Sequence, residues 1–368
     1  MPEDVSPVVA CPSGPLGDAV AGIGVEWHRL PEAEASLRLD PIHTPIGVAA
    51  LATGAVLVRL LARRVGVDLL HGNSVRASLV AALAARLGAP PAIAHVRDCL
   101  PPGRVSAVTL RAATGPASVV LANSDHTRRN VQTALAGAGR TPIRVAYSPV
   151  DVDRFDPLLF DRAEARAGLG LAPTAPVLAV VGQLTPWKGQ DDAVRIVASV
   201  KRTHPDVRLL LVGTARFVSR ATRYDNQAYV RRLQDLVDAH GVRDQVRLLG
   251  ERPDVPAILR AVDLLLVPSW EEPFGRVVVE AMAMGVPVLA TSVGGPSEVL
   301  RSEIDGVLLP PRHPELWAAE IAGLLDDPQR RSSLGVSARK RALQRFSLTA
   351  HVDAVLAAYR AALEGPGH

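Results

Sequence analysis

Cysteine is almost absent from this chain: Cys11 and Cys99 are the only two in 368 residues, too few for a disulfide framework. No charged leader followed by an apolar run and a small-residue cleavage site opens the sequence, so a cytoplasmic location is expected. Aromatic residues make up only 4%, and the basic residues form no dense run, so the stacking surfaces and charged stripes of a nucleic-acid binder are missing. The longest uncharged apolar stretch, Pro45 to Val58, stops at Arg59, short of the roughly 20 residues a membrane span needs. It is expected to form an Ala- and Leu-rich helix ending in Arg63 and Arg64, with a role at a membrane surface as the alternative.

Several chemical signatures are missing as well. No strand is followed by G-x-G-x-x-G, and the segment Gly182 to Gly189 reads Lys-Gly rather than Gly-Lys-Ser/Thr, which removes the dinucleotide fingerprint and the P-loop. No G-x-S-x-G elbow and no His/Cys cluster at zinc spacing occurs. Lysine is scarce too: Lys188, Lys201 and Lys340 are the only three, so a lysine inside a glycine-flanked loop draws attention to Lys188.

What is present is a globular composition, 48% apolar and 21% charged with a net charge of +4, compatible with a small anionic ligand. The length suggests two domains. Short runs rich in Val, Leu and Ala alternate with longer helical patterns, which predicts parallel sheets covered by helices on both faces. Candidate strands in the first half are Val8–Ala10, Val25–Leu30, Val67–His71, Ala92–Val96, Ser118–Asn123 and Ile143–Tyr147. In the second half they are Val177–Gln183, Val207–Val212, Val246–Leu249, Leu264–Pro268, Val286–Thr291 and Val307–Leu309. The turn-forming composition of Ser148–Pro157 and Gly168–Pro176 suits a hinge. Asp151 and Asp153 form a D-x-D triplet, but in that linker rather than at a strand end, which argues against a metal site.

Three loops follow predicted strands, where parallel sheets place their ligands. In Gly182-Gln183-Leu-Thr-Pro-Trp-Lys188-Gly189 the glycines let the backbone approach a ligand, and the ammonium supplies a point charge for phosphate. In Pro268-Ser-Trp-Glu-Glu272-Pro-Phe274-Gly275-Arg276-Val277-Val-Val-Glu280 a helix is expected to start near Gly275. Its free N–H groups can hold an anion, and Glu280 can accept two hydrogen bonds from a diol. Ser292-Val-Gly-Gly295-Pro296-Ser-Glu298 offers another such helix start. Together the loops describe a pocket for a diphosphate joined to hydroxyl-rich groups.

The pair Glu272 and Glu280, with seven residues between them, resembles the E-x7-E signature of the family-4 retaining glycosyltransferases, which fold as two facing Rossmann-like domains with a cleft between them, the B-type (GT-B) arrangement. The similarity extends through Leu211-Val-Gly213, Leu249-Gly-Glu-Arg252-Pro-Asp254, Asp263 to Ser269 and Glu280 to Pro287. It continues, more loosely, in Asp68-Leu-Leu-His71-Gly-Asn73, His95-Val-Arg-Asp98 and Ala122-Asn-Ser124. The resemblance implies an acceptor-side domain over 1–160, a nucleotide-sugar-binding domain over 161–347, and a helix over 348–368 crossing back to the first. It also implies that Glu280 binds the ribose hydroxyls of the donor, Glu272 contacts the transferred sugar, and Lys188 neutralises the diphosphate with backbone N–H groups of Phe274, Gly275, Arg276 and Val277. Gly182 and Gly295 would line the donor site, Arg252 would wall the base pocket, and His95 would lie near the donor sugar on the acceptor side. Gln183 stands where the family often has arginine, which leaves more of the charge to Lys188.

Members of that family usually begin with a further strand, Gly-rich loop and helix before anything like Val8–Gly17, so the first domain is expected to lack that opening unit. The function expected is a retaining hexosyl transfer from a nucleoside-diphosphate sugar to a hydroxyl of a glycan, a lipid-linked or a small-molecule acceptor, with no metal or other cofactor and no nucleic-acid partner. A nucleotide-sugar epimerase of the same fold and an inactive nucleotide-binding domain are the alternatives, and peripheral contact with the inner face of a membrane stays open.

Overall fold

The computed structural model describes residues 5–31, 43–101, 103–135, 141–216 and 224–364; the last four residues of the expected tail, 365–368, lie outside them. The chain divides into two units, the first comprising Met1–Ala122, Arg128–Val145 and Val355–His368, the second Asn123–Thr127 and Ala146–Ala354. The divisions fall at 145 and 355, beside the 160 and 348 that the resemblance implied. Packing explains the first difference. Val150 N–H donates to the Phe346 carbonyl at 2.9 Å, and Val150 and Phe155 are buried in the core of the second unit. The turn-forming segment is therefore part of that unit's wall. Asp151 serves this turn, its Oδ1 accepting from the N–H groups of Asp153 and Arg154 at 3.2 and 3.1 Å.

All twelve predicted strands form, and every pairing between them is parallel, giving the α/β class with two Rossmann-like units. In the first unit β1 (Val8–Cys11) pairs with β2 (Glu26–Arg29). A separate sheet runs in the order β3 (Leu70–Gly72), β4 (Ala92–Val96), β5 (Val119–Ala122), β6 (Ile143–Val145). The expected Ala/Leu helix spans His43–Val65. Its stretch Pro45–Val65 is longer than the uncharged run suggested, and by length and composition alone it is apolar enough to cross a membrane, with a mean hydropathy of 1.9. The reason is that isolated arginines at Arg59, Arg63 and Arg64 interrupt the composition without ending the helix.

The second unit carries β7 (Val177–Val181), β8 (Arg208–Val212), β9 (Val246–Gly250), β10 (Leu264–Val267), β11 (Val288–Thr291) and β12 (Val307–Leu309), in the sheet order β12-β11-β10-β7-β8-β9. Both faces are dry. Val177, Ala179, Leu210, Val212, Leu265 and Val267 point into one apolar cluster, while Leu178, Val180, Leu209, Leu211, Leu264 and Leu266 point into another. That is why these strands read as unbroken apolar runs rather than as alternating ones. From β7 the chain builds outward through β8 and β9, then returns to β7's other side with β10. The order reverses between β7 and β10, and loops leaving the carboxyl ends of two such strands diverge and leave a crevice.

Candidate active site

The two loops at that reversal carry Lys188 and Glu272. Lys188 closes a short 3-10 turn after β7, Pro186–Lys188. Gly189 follows in the left-handed region (φ 71°), where a Cβ would sit 2.2 Å from the Pro268 carbonyl oxygen at the end of β10, so only glycine lets the two loops come this close. Trp270 N–H donates to the Trp187 carbonyl at 2.8 Å and ties them together. Lys188 Nζ then reaches Glu272 Oε2 at 2.6 Å, and the Ser269 hydroxyl meets the same oxygen at 3.1 Å. Both side chains are largely covered, 18% exposed for Lys188 and 6% for Glu272. Burying a carboxylate is costly unless it is paired and hydrogen-bonded, and the ammonium and hydroxyl provide both.

The third loop supports the second from behind. Gly295 N–H donates to the Glu272 carbonyl at 2.8 Å, and Gly294 (φ 77°) passes so close that a Cβ would lie 2.2 Å from the same oxygen. Gly295 thus holds the Glu272 backbone, and its N–H group is already engaged. The helix expected at this loop is one turn, Pro296–Val299. The Glu298 carboxylate accepts from the N–H groups of Asp125 and His126 at 2.6 and 2.5 Å, so it is engaged within the unit.

The helix Arg276–Ala283 starts after Gly275, with no side-chain cap and no acidic residue in its first turn. The N–H groups of Arg276 and Val277 have no acceptor within the helix, a concentration of partial positive charge directly after Glu272. Phe274 is buried against Tyr147 and Phe346 and fixes the entry to this helix. Glu280 lies on its second turn, 15% exposed, with Arg276 Nη2 at 3.3 Å. Burial raises its carboxyl above the usual range, and the positive charges of Arg276 and Arg154 pull the other way.

Gly182 continues from β7 with its N–H on the Val212 carbonyl, and Gln183 is held at both ends, its carbonyl accepting from Gln190 Nε2 at 2.8 Å and its amide donating to the Arg216 carbonyl at 3.1 Å. Arg252 forms a two-pronged pair with Asp254, at 2.8 and 2.5 Å. The pair lines a pocket of about 300 Å³ with Phe160, Leu169 and Ile258, and neither Lys188, Glu272 nor Glu280 lines that pocket. His95 is the one expected site residue in the first unit; it sits on β4, 3% exposed.

Three contacts lay beyond the motif reading. Ser269 on Glu272 could have been read from its spacing three residues upstream. The Trp270 indole N–H on the buried Asp192 carboxylate, at 3.1 Å, and the Ser124 hydroxyl on the Pro273 carbonyl, at 2.6 Å, join positions far apart in sequence and leave no local signal.

Residues 161–341 match the family described as glycosyl transferases group 1, and residues 4–154 match glycosyltransferase family 4. The D-inositol 3-phosphate glycosyltransferase of Segniliparus rotundus is 39% identical over 254 residues, 67% of this chain and 54% of the relative, so the chain spans about half of that protein. The D-inositol 3-phosphate glycosyltransferase 1 of Catenulispora acidiphila is 32% identical over 311 residues, 81% of this chain and 73% of the relative. This chain belongs to the group 1, family 4 glycosyltransferases. The solved structure of Anabaena Alr3699/HepE in complex with UDP and glucose matches this glycosyltransferase over 96% of its length and 91% of the Anabaena chain, with a TM-score of 0.79 and 26% identity, in keeping with the GT-B fold.

Proposed function

We propose that this glycosyltransferase moves a sugar from a nucleoside-diphosphate donor to an acceptor hydroxyl with retention of anomeric configuration. UDP-glucose, bound by the Anabaena structural relative, is the first donor to test. Inositol 3-phosphate, named for the curated relatives, is the first acceptor, ahead of a glycan or a lipid-linked alcohol. The observation that carries the reading is the Lys188–Glu272 pair at the strand-order reversal, directly before a helix start with free N–H groups.

In this reading Glu280 accepts from the ribose hydroxyls, and Lys188 with the N–H groups of Arg276 and Val277 stabilises the charge growing on the departing diphosphate. These groups supply the electrostatic role a metal would otherwise take. Glu272 accepts from a sugar hydroxyl and orients the ring. No carboxylate is singled out as a covalent nucleophile in this reading, which takes departure and attack to occur on the same face. A cytoplasmic location, with peripheral membrane contact as a variant, belongs to the same proposal.

Calorimetry with UDP, followed by NMR of the product formed from UDP-glucose and inositol 3-phosphate, tests it. Tight UDP binding and an axial anomeric linkage are expected. An inverted linkage overturns the mechanism, an altered donor sugar without transfer makes the protein an epimerase, and no affinity for any nucleoside diphosphate removes the pocket.

A further inference from the structure

Between β10 and the helix Arg276–Ala283 the segment 268–275 forms neither strand nor helix, so no ladder of backbone hydrogen bonds sets its shape. Yet this segment carries Glu272 onto Lys188. Its backbone is anchored at two points, Trp270 N–H on the Trp187 carbonyl and the Glu272 carbonyl on Gly295 N–H. A third anchor is the Trp270 side chain, whose indole N–H donates to Asp192 Oδ2 at 3.1 Å. All of these residues belong to the second unit.

Asp192 lies in the first turn of the helix Gln190–Val200, which begins directly after Gly189, so the acceptor is tied to the loop that bears Lys188. Its two oxygens are divided: Oδ1 accepts from Arg195 on its own helix at 3.0 Å, and Oδ2 faces the indole. Asp192 is 6% exposed, and a covered carboxylate oxygen loses heavily without a donor, so the contact resists being opened. Burial raises the Asp192 carboxyl and the charge of Asp191 adds to it, while the Trp270 N–H, Arg195 and Arg312 act the other way. Arg312, on the loop after β12, also lays its guanidinium over the Trp270 ring, 4.3 Å from the centroid. It does so from the left-handed region, φ 62°, which among the described non-glycine residues only Glu303 shares. Such strain persists where the surroundings over-determine it. Segments that follow β7, β10 and β12 thus converge on one indole.

We propose that Asp192 and Trp270 are positioning residues: by holding the indole N–H, Asp192 fixes the segment 268–272 so that Glu272 stays on Lys188. The proposal rests on the reading that this pair serves sugar transfer.

The full chain holds three lysines, so labelling lysine Cε with carbon-13 gives three NMR signals, and Lys188→Arg identifies the one that reports the pair. Asp192→Ala and Trp270→Phe should both displace that signal at temperatures where circular dichroism shows a folded chain. Asp192→Asn should leave it in place, since the amide oxygen still accepts from the indole and Arg195 keeps Asp191 as its partner. In a transfer assay the two disruptive variants should lower kcat on the order of tenfold, the value of one hydrogen bond to a charged group, with UDP affinity within about twofold and Asp192→Asn close to wild type. A Lys188 signal unmoved by both disruptive variants, or UDP affinity falling in step with kcat, overturns the positioning role. Should the signal move as expected while Lys188→Ala transfers sugar with wild-type kinetics, the clamp stands and the role of the pair in transfer falls.

Discussion

Lys188 Nζ and Glu272 Oε2 meet at 2.6 Å, although 84 positions separate the two residues. The pair joins the loops after β7 and β10 and is mostly shielded from water, so each charge depends on the other. A donor phosphate bound here, as proposed, would have to share the ammonium with Glu272.

Lys188→Ala should therefore cost both stability and function. Removing one partner of a covered ion pair leaves an uncompensated charge, which destabilises by about 3 kcal/mol, an upper figure here because Ser269 still holds Glu272. Thermal denaturation should show a lower Tm, and adding Glu272→Gln should recover part of it. Donor KM should rise, with Gln183→Arg restoring some affinity by supplying a second cation.

Glu272→Gln is expected to leave UDP affinity within about twofold, since the nucleotide is assigned to Glu280 and the helix start, while lowering kcat on the order of 10²-fold through loss of a charged contact in the transition state. Calorimetry and steady-state kinetics on the same preparation separate the two. An equal loss in both would move Glu272 from the sugar to the nucleotide.

Glu280 gives a prediction with a sign. Its carboxyl is raised by burial, so the folded protein binds that proton more tightly than the unfolded chain does. The contribution favours folding at low pH and is lost as pH rises through the raised value. Glu280→Gln should consequently be more stable than wild type near neutral pH, with the advantage shrinking on acidification and gone below about pH 4. Nucleotide binding should move the other way, weakened by about 1.5–3 kcal/mol at neutral pH through loss of charge-assisted hydrogen bonds. Melting curves across pH, with and without UDP, check both signs.

Gly294→Ala puts a methyl group where the Glu272 carbonyl stands and asks alanine to adopt φ 77°. The strain should cost about 1–3 kcal/mol. Because the displaced atom belongs to Glu272, kcat should fall even at temperatures where the variant is fully folded by circular dichroism.

The strands were legible because those of the second unit are buried on both faces, and continuous apolar runs such as Val177–Val181 and Leu264–Val267 have few other uses. That the loops of Lys188 and Glu272 would come together was legible because they keep glycines where the backbones must touch. The boundary at 145 was not, since Ser148–Pro157 has a linker's composition, and only the burial of Val150 and Phe155 shows that it packs as a wall. Nor could sequence join Trp270 to Asp192, which lie far apart in the chain. Arg252 was assigned by motif position, and its engagement with Asp254 two residues away is a local pairing that the motif does not encode.

The strand-order reversal also bears on how the molecule reaches its active form. β7 and β10 are neighbours in the sheet, yet β8, β9 and their helices lie between them in the chain, so the Lys188–Glu272 contact closes a long loop and gains nothing until that excursion is in place. A nucleotide that binds there selects chains whose central sheet is fully assembled. During refolding, nucleotide capture should lag behind the appearance of secondary structure, and amide protons of β7 and β10 should be the ones whose exchange UDP slows most.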